Sequence, residues 1–98
     1  RCLDVGSAAN PDLMQADAER LIAELDRGDG VLILTDAFGS TPSNIACRLN
    51  HRHRTAVVAG LNLPMLLRVL NYPTLTLREL ANKAVSGGKD GVVQAYCD

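Results

Sequence analysis

Two short apolar runs constrain the fold of this chain more than any other feature. Val31 to Leu34 is continuously apolar, and Thr55 to Ala59 is nearly so. Runs without polar alternation are typical of strands buried on both faces of a parallel sheet. A helical pattern precedes the first run, and others follow each run. This strand–helix alternation predicts an α/β fold with a mainly parallel sheet flanked by helices.

Capping residues mark where four helices should begin. Three of these starts combine a capping side chain with a proline in the first helical turn, and the fourth has the spacing of a capping box. In chain order they are Asn10-Pro11, Thr41-Pro42, Asn62-Leu63-Pro64 and Thr76 with Glu79. We place Thr41 at the N-cap of the second helix, which should turn Ile45, Ala46 and Leu49 inward.

Glycines and a proline indicate where the helices should end. We expect Gly28 to end the first helix, Tyr72-Pro73 to stop the third, and Gly87-Gly88 to end the fourth near Ser86. After the Asp90-Gly91 turn, Val92 to Tyr96 should form a short strand at the edge of the sheet. Near the start of the chain, we interpret Leu3 to Val5 as the tail of another strand.

The composition fits a single domain over residues 1–98, since 47% of the residues are hydrophobic and 21% are charged. The net charge of -1 and the 3% aromatic content argue against a nucleic-acid partner. No apolar run reaches the length of about 18 residues that spans a membrane. The three cysteines have no metal-ligand spacing. We therefore expect a cytoplasmic protein without metal or cofactor.

Two loops are the expected place for chemistry, because ligands bind beyond the carboxyl ends of strands in open α/β sheets. The first loop runs from Asp36 to Pro42 and the second from Gly60 to Pro64. In the first, Gly39 allows a ligand to approach the backbone, and Ser40 and Thr41 offer hydroxyl groups. The helix that follows presents free N–H groups, which favour an anion such as a phosphoryl group.

These residues also have ordinary structural interpretations. Asp36 is suited to accept an N–H from a histidine and so fix its tautomer, but an Asx turn is an equally common use. Hydroxyl residues and proline at a helix start are typical of capping alone, and the same holds for Asn62 and Pro64. His51 and His53 alternate within a basic loop, where solvent exposure is the usual outcome.

Two long stretches resemble the mannose-type IIA family of the bacterial phosphotransferase system. Val31 to Asn44 is similar to its LTD-x-FGG-[ST]-PSN stretch, and Ala59 to Leu66 is similar to its AG-[VL]-NLPML stretch. Gly87 to Val92 resembles the G-x-x-G-[IV] end of the family. The three lie in the family's order and spacing, so the resemblance covers nearly the whole chain.

The resemblance implies a flavodoxin-like fold and a phosphocarrier function. Such a protein takes a phosphoryl group from the phosphocarrier HPr onto its own histidine and passes it to a IIB partner. It is at most peripheral to a membrane transporter. Asp36 matches the aspartate that pairs with this histidine, and Thr41 matches the hydroxyl residue beside the phosphoryl group. Ser40 stands where the family usually has a second glycine. The matching stretches also supply candidate binding residues, namely Phe38, Gly39, Asn62 and Pro64.

The resemblance also implies a phosphorylated histidine that the sequence does not supply. In the family it follows the first strand, in a Thr-His-Gly-like turn, whereas His51 and His53 fall elsewhere. Leu3 to Val5 corresponds to the family's second strand. We therefore expect the chain to be N-terminally incomplete by one strand and one helix, roughly thirty residues.

The family resemblance further implies a homodimer. An uncovered apolar edge strand tends to pair with another chain, and exchange of the terminal strand gives a closed twofold dimer. We expect Val92 to Ala95 to add to the partner's sheet in this way.

Other functions remain open from the sequence. A non-catalytic regulatory module would keep the fold without the histidine, and the phosphotransfer subunit of dihydroxyacetone kinase shares the fold. Asn62-Leu63-Pro64-Met65 favours the sugar branch. A receiver domain fits less well, because Asp36 stands alone instead of in a magnesium-binding acidic cluster.

Overall fold

The computed structural model describes residues 10–49 and 54–96, so the expected strand at Leu3 to Val5 lies outside the described residues. The elements in chain order are α1 (Pro11–Leu25), β1 (Val31–Thr35), α2 (Thr41–Leu49), β2 (Thr55–Ala59), α3 (Leu63–Leu70) and α4 (Leu77–Asp90). β1 and β2 pair in parallel, with Val31 opposite Thr55 and Thr35 opposite Ala59. The predicted α/β fold with a parallel sheet between helices is confirmed.

The side chains of β1 point alternately to two apolar clusters, one on each face of the sheet. Val31 and Ile33 pack against the cluster of Ile22, Ile45 and Leu49, which joins α1 to α2. Leu32 and Leu34 pack against a second cluster, formed by Val58, Met65 and Ala84. Because successive residues of a strand face opposite sides, a strand covered on both sides needs apolar residues throughout. This explains the unbroken run in the sequence.

Three of the predicted helix starts are confirmed by their capping hydrogen bonds. The Oδ1 atom of Asn10 accepts a hydrogen bond from the N–H of Asp12 at 2.9 Å, and Oδ1 of Asn62 accepts one from Met65 at 2.9 Å. At α4, Oγ1 of Thr76 accepts from the N–H of Glu79 at 3.2 Å. Each side chain satisfies one of the N–H groups that a helix leaves free at its start.

The prediction for the start of α2 is wrong by one residue. The helix already includes Thr41, and the preceding residue, Ser40, caps it. The Oγ atom of Ser40 accepts a hydrogen bond from the N–H of Ser43 at 3.3 Å, while its carbonyl accepts one from Asn44 at 2.9 Å. Two hydroxyl residues stand side by side before Pro42, and the first of them takes the capping position.

The predicted end of α1 is also displaced. The helix ends at Leu25, with Asp26 as the C-cap, before Gly28 is reached. The Oδ1 atom of Asp26 accepts hydrogen bonds from the N–H groups of Gly28 at 2.9 Å and Gly30 at 3.1 Å. The Asp26 carboxylate therefore organises the turn that leads into β1, and Gly28 serves within that turn.

The expectation that Gly87-Gly88 ends the last helix is wrong, because α4 continues through both residues to Asp90. Both glycines are buried against α3. A Cβ atom built on Gly87 would lie 2.6 Å from the Cβ of Arg68. These glycines therefore allow close contact between α3 and α4 instead of breaking the helix.

The predicted edge strand at Val92 to Tyr96 does not form in the single chain. After α4, the N–H of Val92 donates to the carbonyl of Lys89 at 3.2 Å, and residues 92–96 carry no regular structure. The exposed fraction is 78% for Val92 and 75% for Val93. Among the described residues, β1 and β2 pair only with each other. Among the described helices, none is both long and apolar enough to cross a lipid bilayer.

Candidate functional site

The two loops predicted to carry the chemistry lie side by side at the carboxyl edge of the sheet. Beyond the last strand pair, the N–H of Gly60 donates to the carbonyl of Asp36 at 2.7 Å, and the N–H of Leu61 donates to the carbonyl of Thr35 at 2.8 Å. These bonds hold the first residues of both loops in fixed register. The candidate site is therefore built on backbone that the sheet itself positions.

The side chain of Asp36 is held from one side. Oγ of Ser40 donates a hydrogen bond to Oδ1 of Asp36 at 2.6 Å, which is short and assisted by the carboxylate charge. In the described part of the chain no other hydrogen bond reaches this carboxylate. Asp36 is exposed, so its second oxygen is open to solvent. A carboxylate of this kind can accept an N–H from an imidazole but is a poor partner for a phosphoryl group.

The start of α2 lies close to Asp36 and carries a partial positive charge, opposite in sign to the carboxylate. Thr41 is the first residue of this nine-residue helix, and its side chain is exposed. A helix N-terminus carries roughly half a positive charge, which favours an anion. The arrangement places a hydrogen-bond acceptor, Asp36, next to an exposed hydroxyl at an anion-favouring helix end. Together these groups can hold a ligand that combines an N–H with a negative charge.

The segment between Asp36 and α2 adopts a tight turn that depends on glycine. Gly39 has a φ angle of 89°, in the left-handed region that favours glycine. The N–H of Ser40 donates to the carbonyl of Ala37 at 3.1 Å, and Nδ2 of Asn44 donates to the carbonyl of Gly39 at 3.4 Å. Phe38 projects from the turn and is 84% exposed. This ring is therefore left largely open to solvent.

The structure gives Asn62 two structural partners. Its Oδ1 atom caps α3, and its Nδ2 donates to the carbonyl of Gly88 at 3.0 Å, which ties the second loop to α4. Pro64, in the first turn of α3, lies against Gly91 at the end of α4. Asn62 also lines a shallow, mainly apolar cavity of about 250 Å³ with Val58 and Met65. Asn62 and Pro64 therefore shape the scaffold beside Asp36.

One residue of this region gave no signal in the sequence. Ser43, in the first turn of α2, is only 1% exposed. Its Oγ atom has no hydrogen-bond partner among the described residues. A serine three residues after a helix cap is common, so only the packing reveals that this hydroxyl is buried and unpaired.

Two further features of the described residues bear on where a site could lie. The described residues contain no group of three or more His, Cys, Asp or Glu side chains placed to hold a metal ion. His51 and His53 lie outside the described residues. A cavity of about 340 Å³ lies at the opposite, amino edge of the strands and is lined by Asp29, Arg54 and Thr76 among others. The residues predicted for chemistry all lie at the carboxyl edge.

Comparison with known proteins gives a consistent result. Residues 3–85 match the family EIIA-man, described as the fructose IIA component of the phosphotransferase system, PTS. The chain is 36% identical over 77 residues to the fructose-specific EIIA component of Bacillus subtilis, covering 74% of this chain and 53% of that protein. It is 38% identical over 74 residues to the mannose-specific EIIAB component of Escherichia coli K12, covering 72% of this chain and 23% of that protein.

A solved structure shows the same similarity in three dimensions. The phosphotransferase system component EIIA from Streptococcus agalactiae superposes with a TM-score of 0.77 at 25% identity. The superposition covers 90% of this chain and 69% of that one. Of the two relatives compared by sequence, the chain spans about half the length of the Bacillus protein and a smaller share of the Escherichia protein.

Proposed function

Because this chain belongs to the EIIA-man family of IIA components of the sugar phosphotransferase system, we propose that its full-length protein is a histidine phosphocarrier. In this proposal the protein takes a phosphoryl group from HPr onto its own histidine and passes it to a IIB partner. The observation that carries the proposal is the Asp36 carboxylate, held at the carboxyl edge of the sheet next to the start of α2.

Asp36 has the chemistry needed to activate an imidazole. Its second carboxylate oxygen would accept the N–H of one ring nitrogen and so fix the tautomer in which the other nitrogen is the nucleophile. That nitrogen attacks the phosphorus atom of phosphorylated HPr, a new N–P bond forms, and the bond to the HPr histidine breaks. The N–H retained at Asp36 then stabilises the phosphorylated ring until the IIB partner removes the phosphoryl group.

The neighbouring residues would receive the phosphoryl group and the partner proteins. The Thr41 hydroxyl can donate to a phosphoryl oxygen at the start of α2, where the helix dipole favours negative charge. The open backbone at Gly39 permits a close approach, since no described residue other than its chain neighbours comes within 4 Å of where its Cβ would be. The exposed Phe38 ring offers an apolar contact for HPr or IIB.

We place the phosphorylated histidine outside the 98 residues. Asp36 follows the end of β1, whereas His53 comes two residues before Thr55, where β2 begins. The family resemblance puts the phosphorylated histidine in a turn after the first strand, and neither His51 nor His53 has that place in the sequence.

The test is phosphorylation from labelled phosphoenolpyruvate with HPr and the first enzyme of the system. We expect the full-length protein to carry label on a histidine and the isolated 98-residue chain to stay unlabelled. Stable label on His51 or His53 in either protein would overturn the assignment of Asp36 as the histidine's partner. Absence of label from the full-length protein would overturn the phosphocarrier function itself.

The proposal also covers which kind of phosphotransfer component the protein is. Relatives with fructose-specific and mannose-specific names favour a sugar component over a dihydroxyacetone kinase subunit.

We place the protein in the cytoplasm as a homodimer, in which Val92 to Ala95 add to the partner's sheet. The homodimer is supported by the exposure of Val92 and Val93. It is also supported by β2, which pairs only with β1 among the described strands.

A further inference from the structure

Ser40 makes two hydrogen bonds through one oxygen atom. Oγ donates to Oδ1 of Asp36 at 2.6 Å and accepts from the N–H of Ser43 at 3.3 Å. Its backbone is also fixed, because its N–H donates to Ala37 and its carbonyl accepts from Asn44. The hydroxyl is therefore attached to the first turn of α2, and Asp36 is attached to the hydroxyl.

We propose that Ser40 is a positioning residue for phosphoryl transfer, which holds the Asp36 carboxylate in the orientation that meets the histidine. This inference rests on the proposed function. The Asp36 backbone is fixed by Gly60, and the bond from Ser40 fixes its side chain at a second point. With Oδ1 occupied, Oδ2 is the oxygen presented to an incoming N–H.

The same hydrogen bonds separate the role of Ser40 from that of Thr41. A serine hydroxyl has one proton to donate, and here that proton lies toward Asp36. Ser40 therefore cannot donate to a phosphoryl oxygen while it holds the carboxylate. Thr41 is exposed and keeps this ability, so Thr41 is the phosphoryl donor and Ser40 acts through Asp36.

Ser40→Gly removes the hydroxyl with little harm to the helix, because glycine is also a favourable N-cap residue. The variant is made in the full-length protein, alone and together with Asp36→Ala. The transfer rate from phosphorylated HPr should fall about tenfold in the single variant, as expected for losing a hydrogen bond to a charged group. In the Asp36→Ala background Ser40→Gly should cause no further loss.

Thr76→Ala is the matched control, because it removes the hydroxyl that caps α4 away from the site. It should lower stability without lowering the transfer rate. Ser40→Thr, which keeps a hydroxyl, should restore most of the rate lost in Ser40→Gly. Equal losses from Ser40→Gly in both backgrounds, or no loss in either, would overturn the positioning role.

A measurement independent of phosphoryl transfer separates this inference from the proposed function. NMR coupling constants of the Asp36 Cβ protons report whether its side chain keeps one rotamer. A single rotamer in the wild-type protein and averaging in Ser40→Gly would support the positioning contact, even if HPr did not phosphorylate the protein. Equal averaging, or an unchanged single rotamer, in both proteins would contradict it.

Discussion

The N–H of Gly60 donates a 2.7 Å hydrogen bond to the carbonyl oxygen of Asp36, one residue beyond the end of each strand. The sheet therefore fixes the Asp36 backbone whatever its side chain does. It follows that the carboxylate can be removed without displacing the loop, so Asp36 is a favourable position for testing chemistry apart from folding.

Asp36→Ala in the full-length protein should slow phosphoryl transfer from HPr about tenfold or more. The reason is the loss of one hydrogen bond to a charged group, which is worth about 1.5–3 kcal/mol. The free energy of unfolding should fall by about 1 kcal/mol or less, since the exposed side chain bonds only Ser40 among the described residues. Rapid-quench transfer kinetics and urea unfolding measure the two quantities.

Asp29→Ala is the control for this prediction, because Asp29 is an exposed aspartate at the opposite edge of the sheet. It should leave the transfer rate unchanged. If Asp36→Ala transferred as fast as the wild type, with an equally long-lived phosphohistidine, Asp36 would have a purely structural role.

Asn62→Ala should destabilise the protein by about 2 kcal/mol, because it removes both the cap of α3 and the bond to the Gly88 carbonyl. Asn10→Ala is the comparison, since Asn10 caps α1 and its capping bond is exposed. That change should cost about 1 kcal/mol. Urea denaturation of both variants checks the difference, and equal losses would show that the tie to α4 contributes nothing.

Gly87→Ala should destabilise the protein by about 1–3 kcal/mol, because its Cβ would lie 2.6 Å from the Cβ of Arg68 and force α3 and α4 apart. Gly88→Ala should cost less. Its Cβ would approach the Cε atom of Met65 at 2.8 Å, and that flexible side-chain end can turn away. Thermal unfolding of the two variants tests the order, and a larger loss at Gly88 would contradict the packing described here.

Much of the fold could be predicted because the relevant forces are local or repetitive. The apolar run at β1 reflects burial on both faces, and the caps at Asn62 and Thr76 are contacts within one helical turn. The role of Gly87 could not be predicted, because glycine is used both at helix ends and at close helix contacts. Only the short distance between Gly87 in α4 and Arg68 in α3 distinguishes the two uses.

The candidate site was predictable in position but not in detail. Strand ends and parallel pairing place Asp36 beside Gly60, which requires only the order of elements. The bond between Asp36 and Ser40 depends on the left-handed turn at Gly39, and two adjacent hydroxyl residues gave no means of choosing the cap. Residues 92–96 do not form the expected strand in the single chain, because β-favouring residues form a strand only where another strand pairs with them.

The proposed homodimer predicts a specific effect of removing the C-terminal segment. The full-length protein should scatter light as a dimer at micromolar concentration, and a variant ending at Gly91 should be a monomer. The reason is that Val92 and Val93 are exposed in the single chain and would gain a strand partner in the dimer. A monomer in both proteins, or a dimer in both, would rule out exchange of this segment.

Amide NMR of the full-length protein, recorded before and after phosphorylation by HPr, tests most directly whether the phosphoryl group is carried beside Asp36. The account predicts that the largest shifts occur at Gly39, Thr41 and Gly60, which surround the carboxyl edge of the sheet. Amides at the opposite edge, such as those of Gly30 and Thr76, should hardly move. Largest shifts at Gly30 and Thr76, with Gly39 and Thr41 unchanged, would contradict the account.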